Sequence, residues 1–160
     1  MCSSDLGMNT LVLGEVTSTG STAADATINQ QLYAEFGSHL KTTREFVSSG
    51  VNATGYNRFG SATGCASNWA WISVQAILMS EVEVYGTNVW SSSGYDTGNA
   101  NLQLPLFAFS KQAQYNRSAY WWLKNIASAD GFCLANGYGD ASYDVAGHTY
   151  RCVRPRFIIA

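Results

Sequence analysis

Three short apolar runs near the carboxyl end restrict this chain more than any other feature: AYWWLKNIA, GFCLANG and RCVRPRFII. Gly, Asn and Asp separate them, so they read as core-facing strands joined by tight turns. Pro155 has no amide hydrogen to donate, which puts the last run at a sheet edge or a bulge.

Upstream the pattern is mixed. In INQQLYAEF, Leu32, Tyr33 and Phe36 fall on one helical stripe that Gly37 ends. Ser38 then precedes HLKTTREFV, where Leu40, Phe46 and Val47 suit a second short amphipathic helix. SSGVNATGYNRFGSATGCASN reads as a long connection. NWAWISVQAILM is apolar enough for core, with helix and strand equally open. SEVEVYG is clearer, because Ser80 with Glu83 three residues on makes a capping box for a helix stopping at Gly86. VWSSSGYDTGNANLQLPLF reads as a polar loop closing on Pro105, Leu106 and Phe107.

Residues 8–27, rich in Thr, Ser, Ala and Gly, read as an irregular lead-in. Residues 1–7, MCSSDLG, are expected to be an assembly artefact, since one frame of a common sequencing-adapter oligonucleotide encodes CSSDL. On that expectation the protein begins further upstream. Residues 28–160 are expected to form one α+β domain, with early helices, a mostly antiparallel twisted sheet and long ordered loops.

Of 160 residues, 46% are hydrophobic and only 12% charged, so Ser, Thr, Asn, Gln, Gly and Tyr must cover much of the surface. A net charge of −2 argues against a nucleic-acid partner, which would call for a basic stripe. The only cation cluster, Arg151, Arg154 and Arg156, would be split between two faces by strand alternation. WAWISVQAILM is too short and interrupted for membrane insertion. Cys2, Cys65, Cys133 and Cys152 lack zinc-ligand spacing. Cys133 and Cys152 could meet across strands, but buried free thiols are the simpler expectation.

Catalytic patterns are scarce: there is no Gly-rich phosphate loop, no HExxH and no GxSxG. His39 suits a helix surface or cap. His148 with Cys152 is a disfavoured nucleophile pair, because residues four apart at a strand tip need not touch. Asp130, Asp140 and Asp144 do not have the spacing of an EF-hand loop and read as loop-solvating carboxylates. The triplets NAT at Asn52 and NRS at Asn116 carry no weight in an Asn-rich chain. No cofactor, metal or enzymatic activity is expected.

The stretch GYGDASYDVAGHTYRCVRPRF, Gly137 to Phe157, has the composition of a binding loop. Tyr supplies stiff amphipathic contact area, while Ser, Gly and Asn supply adaptable hydrogen bonds. Strand-linking turns would share much of this composition. The aromatic and imidazole side chains of Tyr138, Tyr143, His148 and Tyr150 tip the balance toward a binding face.

The segments SEVEVYG, PLFAF, NRSAYWWLKNIASADGFCLANG and VRPRFII resemble a family of phage and gut-bacterial proteins. Domains of that family have the C-type lectin fold related to formylglycine-generating enzymes. The resemblance spans roughly Leu32 to Ala160 and is most specific in its C-terminal part. Some members are targets of diversity-generating retroelements, which rewrite chosen surface codons by adenine mutagenesis. The absence of Lys, Glu, Gln, Met and Trp from Asp130 to Cys152 agrees with such rewriting.

The resemblance implies that Tyr120, Trp121, Trp122 and Leu123 form a scaffold strand and that Val153, Arg154, Pro155 and Phe157 close the domain. Between them it implies displayed positions at Asp130, Gly131, Asn136, Tyr138, Asp140, Ser142, Tyr143, Asp144, His148, Thr149, Tyr150 and Arg151. Phe132, Cys133, Ala135, Gly139, Ala141 and Ala146 would be fixed between them. The paired cysteines of formylglycine generation and the calcium-binding triplets of animal lectins have no counterpart here.

The implied function is a receptor-binding domain of a phage tail fibre or tail tip that contacts a bacterial surface receptor, protein or glycan. Other virion or fibre subunits would be partners, and avidity would favour a homo-oligomer, most simply a trimer. The alternative is a bacterial cell-surface or secreted adhesion module of the same fold. An enzyme of the formylglycine-generating superfamily ranks last. The chain would accordingly sit in the virion or at the bacterial surface.

Overall fold

A computed structural model describes residues 28–56, 59–60, 62–91, 103–115, 119–128, 131–145, 148 and 151–160. Helix α1, Ile28–Phe36, forms where the apolar stripe predicts it. Gly37, with φ +53°, ends it in the left-handed region that glycine enters without strain. Leu32 packs toward the core and Phe36 meets the Phe157 ring at 5.3 Å. Tyr33 does not share this burial; it is exposed.

The second helix expected over HLKTTREFV does not form. After a short 3-10 turn at Gly37–His39 the chain enters strand β1, Thr43–Tyr56. Its residues alternate: Glu45 and Val47 are buried, while Arg44 faces solvent. Period two therefore wins over the helical spacing of Leu40 and Phe46.

β1 pairs antiparallel with β2, Ala62–Val74, from Thr43↔Val74 to Tyr56↔Ala62, with a register shift between Asn52 and Thr54. Most of the segment expected to be a long connection is thus strand. Gly, Ser and Asn are poor strand formers, so local preference pointed the wrong way and cross-strand pairing overrode it. NWAWISVQAILM resolves as strand, ending β2 and continuing as β3, Ala76–Leu78.

β3 pairs antiparallel with β7, Pro155–Phe157, in a second two-stranded sheet. Pro155 is the first residue of β7, opposite Leu78, an edge position where its missing donor is tolerated. Helix α2, Glu81–Tyr85, has the capping box read from its residues: the Glu83 amide donates to Ser80 Oγ at 3.1 Å and the Ser80 amide to the Glu83 carboxylate at 2.7 Å. Gly86 closes it at φ +77°. Helix α3, Pro105–Phe109, places Pro in the first turn, where no amide donor is needed.

The third sheet has the order β4-β5-β6, with β4 at Trp121–Ile126, β5 at Gly131–Ala135 and β6 at Ala141–Val145. Its strands are antiparallel. Both faces of β4 and β5 are covered. Trp121, Leu123, Cys133 and Ala135 join Met79, Val84 and Phe107 in one cluster, while Trp122 and Leu134 join Ala76 and Leu78 in another. This explains why WWL and CLA run without polar interruption. Cys133 is buried and Cys152 half-buried, and the two are not joined in a disulfide.

β6 corrects a further expectation, because it lies within the stretch read as a loop. The run RCVRPRFII is corrected too. Only Pro155–Phe157 is strand and it pairs with β3, while Cys152 makes a parallel bridge to Trp121. The whole is α+β, with short helices and antiparallel pairing in every sheet. Among the described residues no helix is long and apolar enough to cross a membrane.

An ion cluster ties these parts together. Arg156 on β7 reaches Glu45 of β1 at 2.7 Å and Glu83 of α2 at 2.6 Å, and Lys124 of β4 lies 3.7 Å from Glu45. The two cationic side chains that approach Glu45 offset its burial.

Truncation of a buried ring should show directly in stability. Trp122→Ala is expected to lose about 3–5 kcal/mol of unfolding free energy, read by chemical denaturation.

Candidate recognition surface

The turn between β5 and β6 is built by Asn136. Its side-chain oxygen accepts from the Tyr138 amide at 2.8 Å and the Asp140 amide at 2.9 Å, and its own amide donates to the Asp140 carbonyl at 2.9 Å. Gly139 completes the turn at φ +86°. A Cβ there would stand 2.9 Å from Tyr115 Cδ1, so space as well as backbone geometry requires glycine. Tyr138, between these fixed points, is 78% exposed.

β6 then distributes its side chains by alternation. Tyr143 lies opposite Cys133 and therefore on the Trp121 face of the sheet; Ser142 and Asp144, opposite Leu134 and Phe132, share the other. Tyr143, 49% exposed, meets the Trp90 ring at 5.0 Å, and the exposed Phe59 meets Trp90 at 5.8 Å. The Trp90 indole donates to the Ala141 carbonyl at 2.8 Å.

Trp90 is held by a buried acid. The Glu81 carboxylate accepts from the amides of Val89 at 2.9 Å, Trp90 at 3.0 Å and Ser91 at 3.1 Å, and from the Ser91 hydroxyl at 2.7 Å. The Glu81 amide in turn donates to Asn125 Oδ1 at 2.7 Å. Residues 89–91 are thereby fixed to the first turn of α2.

On the opposite face Asp144 gathers an imidazole and a guanidinium. His148 Nδ1 lies 2.7 Å from one carboxylate oxygen, and Arg151 donates to the other from Nε at 3.0 Å and Nη2 at 2.5 Å. The Arg151 guanidinium also covers the Tyr120 ring at 4.2 Å. Burial alone would push the Asp144 carboxyl up, but hydrogen bonds from His148, Arg151 and the Val145 amide outweigh it and hold the group below its ordinary value.

The residues read as displayed therefore separate into three places. Asn136, Tyr138 and Asp140 form the turn; Tyr143 lies on one flank; Ser142, Asp144, His148 and Arg151 lie on the other. Asn136 and Asp144 spend their polar atoms inside the protein. Gly131 is not a displayed position: it is buried, and a Cβ there would stand 2.5 Å from Ser128 Oγ. Asp130, Thr149 and Tyr150 lie outside the described residues. Phe59 and Trp90 were missed. Their signal was an isolated large aromatic within a Gly/Ser/Asn-rich run, which composition alone assigns to loop.

A cleft of about 460 Å³ adjoins the turn, lined by Tyr85, Gln103, Phe107, Lys111, Gln114 and Asp140 among others. Compared with known protein families, curated proteins and solved structures, the chain matches none.

The depressed Asp144 carboxyl makes a signed prediction. A folded-state value below 3.8 means that its contribution to stability is present above that pH and is lost as pH falls through the folded value. Acid titration of the unfolding midpoint should show that loss in the wild type and a smaller one in Asp144→Asn.

Proposed function

We propose that this chain is a ligand-recognition domain that binds a bacterial surface molecule without turning it over. Its turn and outer aromatic flank are the contact region. The observation that carries this reading is the contrast in burial between frame and skin. Trp121, Leu123, Cys133 and Leu134 are fully buried, whereas Tyr138, Tyr143 and Phe59 are 78%, 49% and 62% exposed on neighbouring segments. Large aromatics left in water next to a tightly packed sheet suit contact with a partner.

The finer reading is a C-type-lectin-like domain of the kind carried by phage tail fibres and tail tips. Two arrangements support it. The YWWL strand lies against the segment that leads into VRPRF, with the Trp122 amide donating to the Cys152 carbonyl at 3.1 Å and the Cys152 amide to the Tyr120 carbonyl at 2.7 Å. The stretch between them carries the exposed Tyr138 and Tyr143. In this reading the chain works beside other fibre subunits in the virion, and a homotrimer multiplies a weak single contact. Sedimentation should then show a concentration-dependent trimer, and a strictly monomeric parent protein would remove that part.

The contact region is tested by exchange of its rings. The double variant Tyr138→Ala/Tyr143→Ala should lose binding to bacteria bound by the wild type, while its melting temperature stays close to wild type. Unfolding of the double variant would show that these rings are packing, and undiminished binding would place the contact elsewhere.

A further inference from the structure

The cleft beside the Asn136–Asp140 turn has a chemistry that narrows the ligand. Gln103 and Gln114 both donate their side-chain amides to the Val84 carbonyl, at 2.7 and 3.1 Å. A carbonyl has two lone pairs, so both bonds are accommodated, and each glutamine keeps its side-chain oxygen as a further acceptor. Asp140 adds a carboxylate and Lys111 an ammonium, so the lining carries both signs of charge. Tyr85 is at the wall; its hydroxyl is buried and has no acceptor among the described residues. Burial raises the Tyr85 phenol above its ordinary value, which keeps its proton in place.

The walls are stiff. Phe107 is buried and stacked on Trp121 at 6.2 Å, and the Gly139 segment is pressed against Tyr115 and Gln114. A volume of about 460 Å³ falls in the range of small-molecule sites, about 300–1,000 Å³. Val89 and Ala141 line the same cleft; Val89 precedes Trp90 and the Ala141 carbonyl accepts from the Trp90 indole, so the cleft borders the segments that carry the aromatic flank.

We infer that this cleft receives a neutral, hydroxyl-rich ring, a saccharide unit of a surface glycan. The inference rests on the recognition reading, since the cleft opens beside the same turn. Several acceptors with donors among them match a ligand whose every hydroxyl both donates and accepts. The lining has no excess of either sign, so a singly charged ligand meets a repelling group, Asp140 or Lys111, as well as an attracting one and gains little net charge attraction. A purely apolar ligand would strip water from the amide and carboxylate groups without replacing their hydrogen bonds.

Ligand-observed NMR on the full chain tests this with a panel of neutral hexoses, deoxyhexoses and N-acetylhexosamines. Hexuronic acids, hexosamines and free amino acids serve as charged comparisons. At least one neutral sugar should show saturation transfer. Ala108→Trp, at an exposed position on the cleft wall, and Asp140→Ala should each weaken it by at least about tenfold, with unfolding midpoints unchanged. Stronger transfer to the charged compounds, or neutral-sugar binding that survives Ala108→Trp, overturns the inference. If the neutral panel is silent while the chain still binds bacteria, the saccharide assignment falls and the recognition reading stands. If sugars bind in this cleft and no bacterium is bound, the recognition reading falls and the cleft assignment stands.

Discussion

Glu81 has no exposed surface, and its carboxylate is the fixed point from which the outer aromatic flank is built. A buried carboxylate is tolerable only when its oxygens are fully engaged. Three consecutive amides and one hydroxyl from Val89, Trp90 and Ser91 supply that engagement. The chain after α2 must therefore curl back over the helix start, and Trp90 is delivered to the edge of β6. There its indole bonds to Ala141 and its ring meets Tyr143. The exposed aromatic row is thus a consequence of an interior electrostatic requirement.

The second buried acid cluster performs a comparable task for the frame. Glu45 and Glu83 come from segments far apart in sequence, and Arg156 joins them. Such a cluster adds little net stability compared with apolar packing, but it penalises any arrangement that leaves one charge alone. Here Arg156 lies on β7, opposite Ile77 of β3, so the cluster favours the pairing observed. With Arg156 between Glu45 and Glu83, β7 lies on β3 and is not a strand of the β4-β5-β6 sheet. The edge of β6 remains available for side chains that face outward.

What could be read from the residues was local. The α2 capping box, the Gly37 stop, the continuous apolar runs of β4 and β5 and the edge position of Pro155 each depend on a few neighbouring side chains. The β1-β2 ribbon and β6 were not legible, because their Gly, Ser, Asn and Asp content favours turns and only distant pairing makes them strands. The site divides the same way. Exposure at Tyr138 and Tyr143 followed from the Tyr-rich composition, whereas the Asp144–His148–Arg151 cluster needed three-dimensional proximity to be seen as internal pairing. Phe59 and Trp90 join the flank only because Glu81 bends residues 89–91 and the ribbon tip reaches Trp90.

These constraints limit which positions of the turn and of β6 are free to change. Tyr138 can be exchanged at little structural cost, since the turn is held through the Tyr138 main-chain amide, which bonds to Asn136, and through Gly139, and not through the Tyr138 side chain. Asn136 cannot, because without its side-chain oxygen two amides lose their acceptor. Asp144, His148 and Arg151 are coupled: replacing the acid leaves two cation-forming groups side by side, and replacing Arg151 removes a hydrogen-bonded partner from a part-buried carboxylate. A surface that varied at all twelve positions independently would damage its own support. The freely exchangeable set is narrower, centred on the turn apex and the Tyr143 flank, where side chains meet water before they meet the frame.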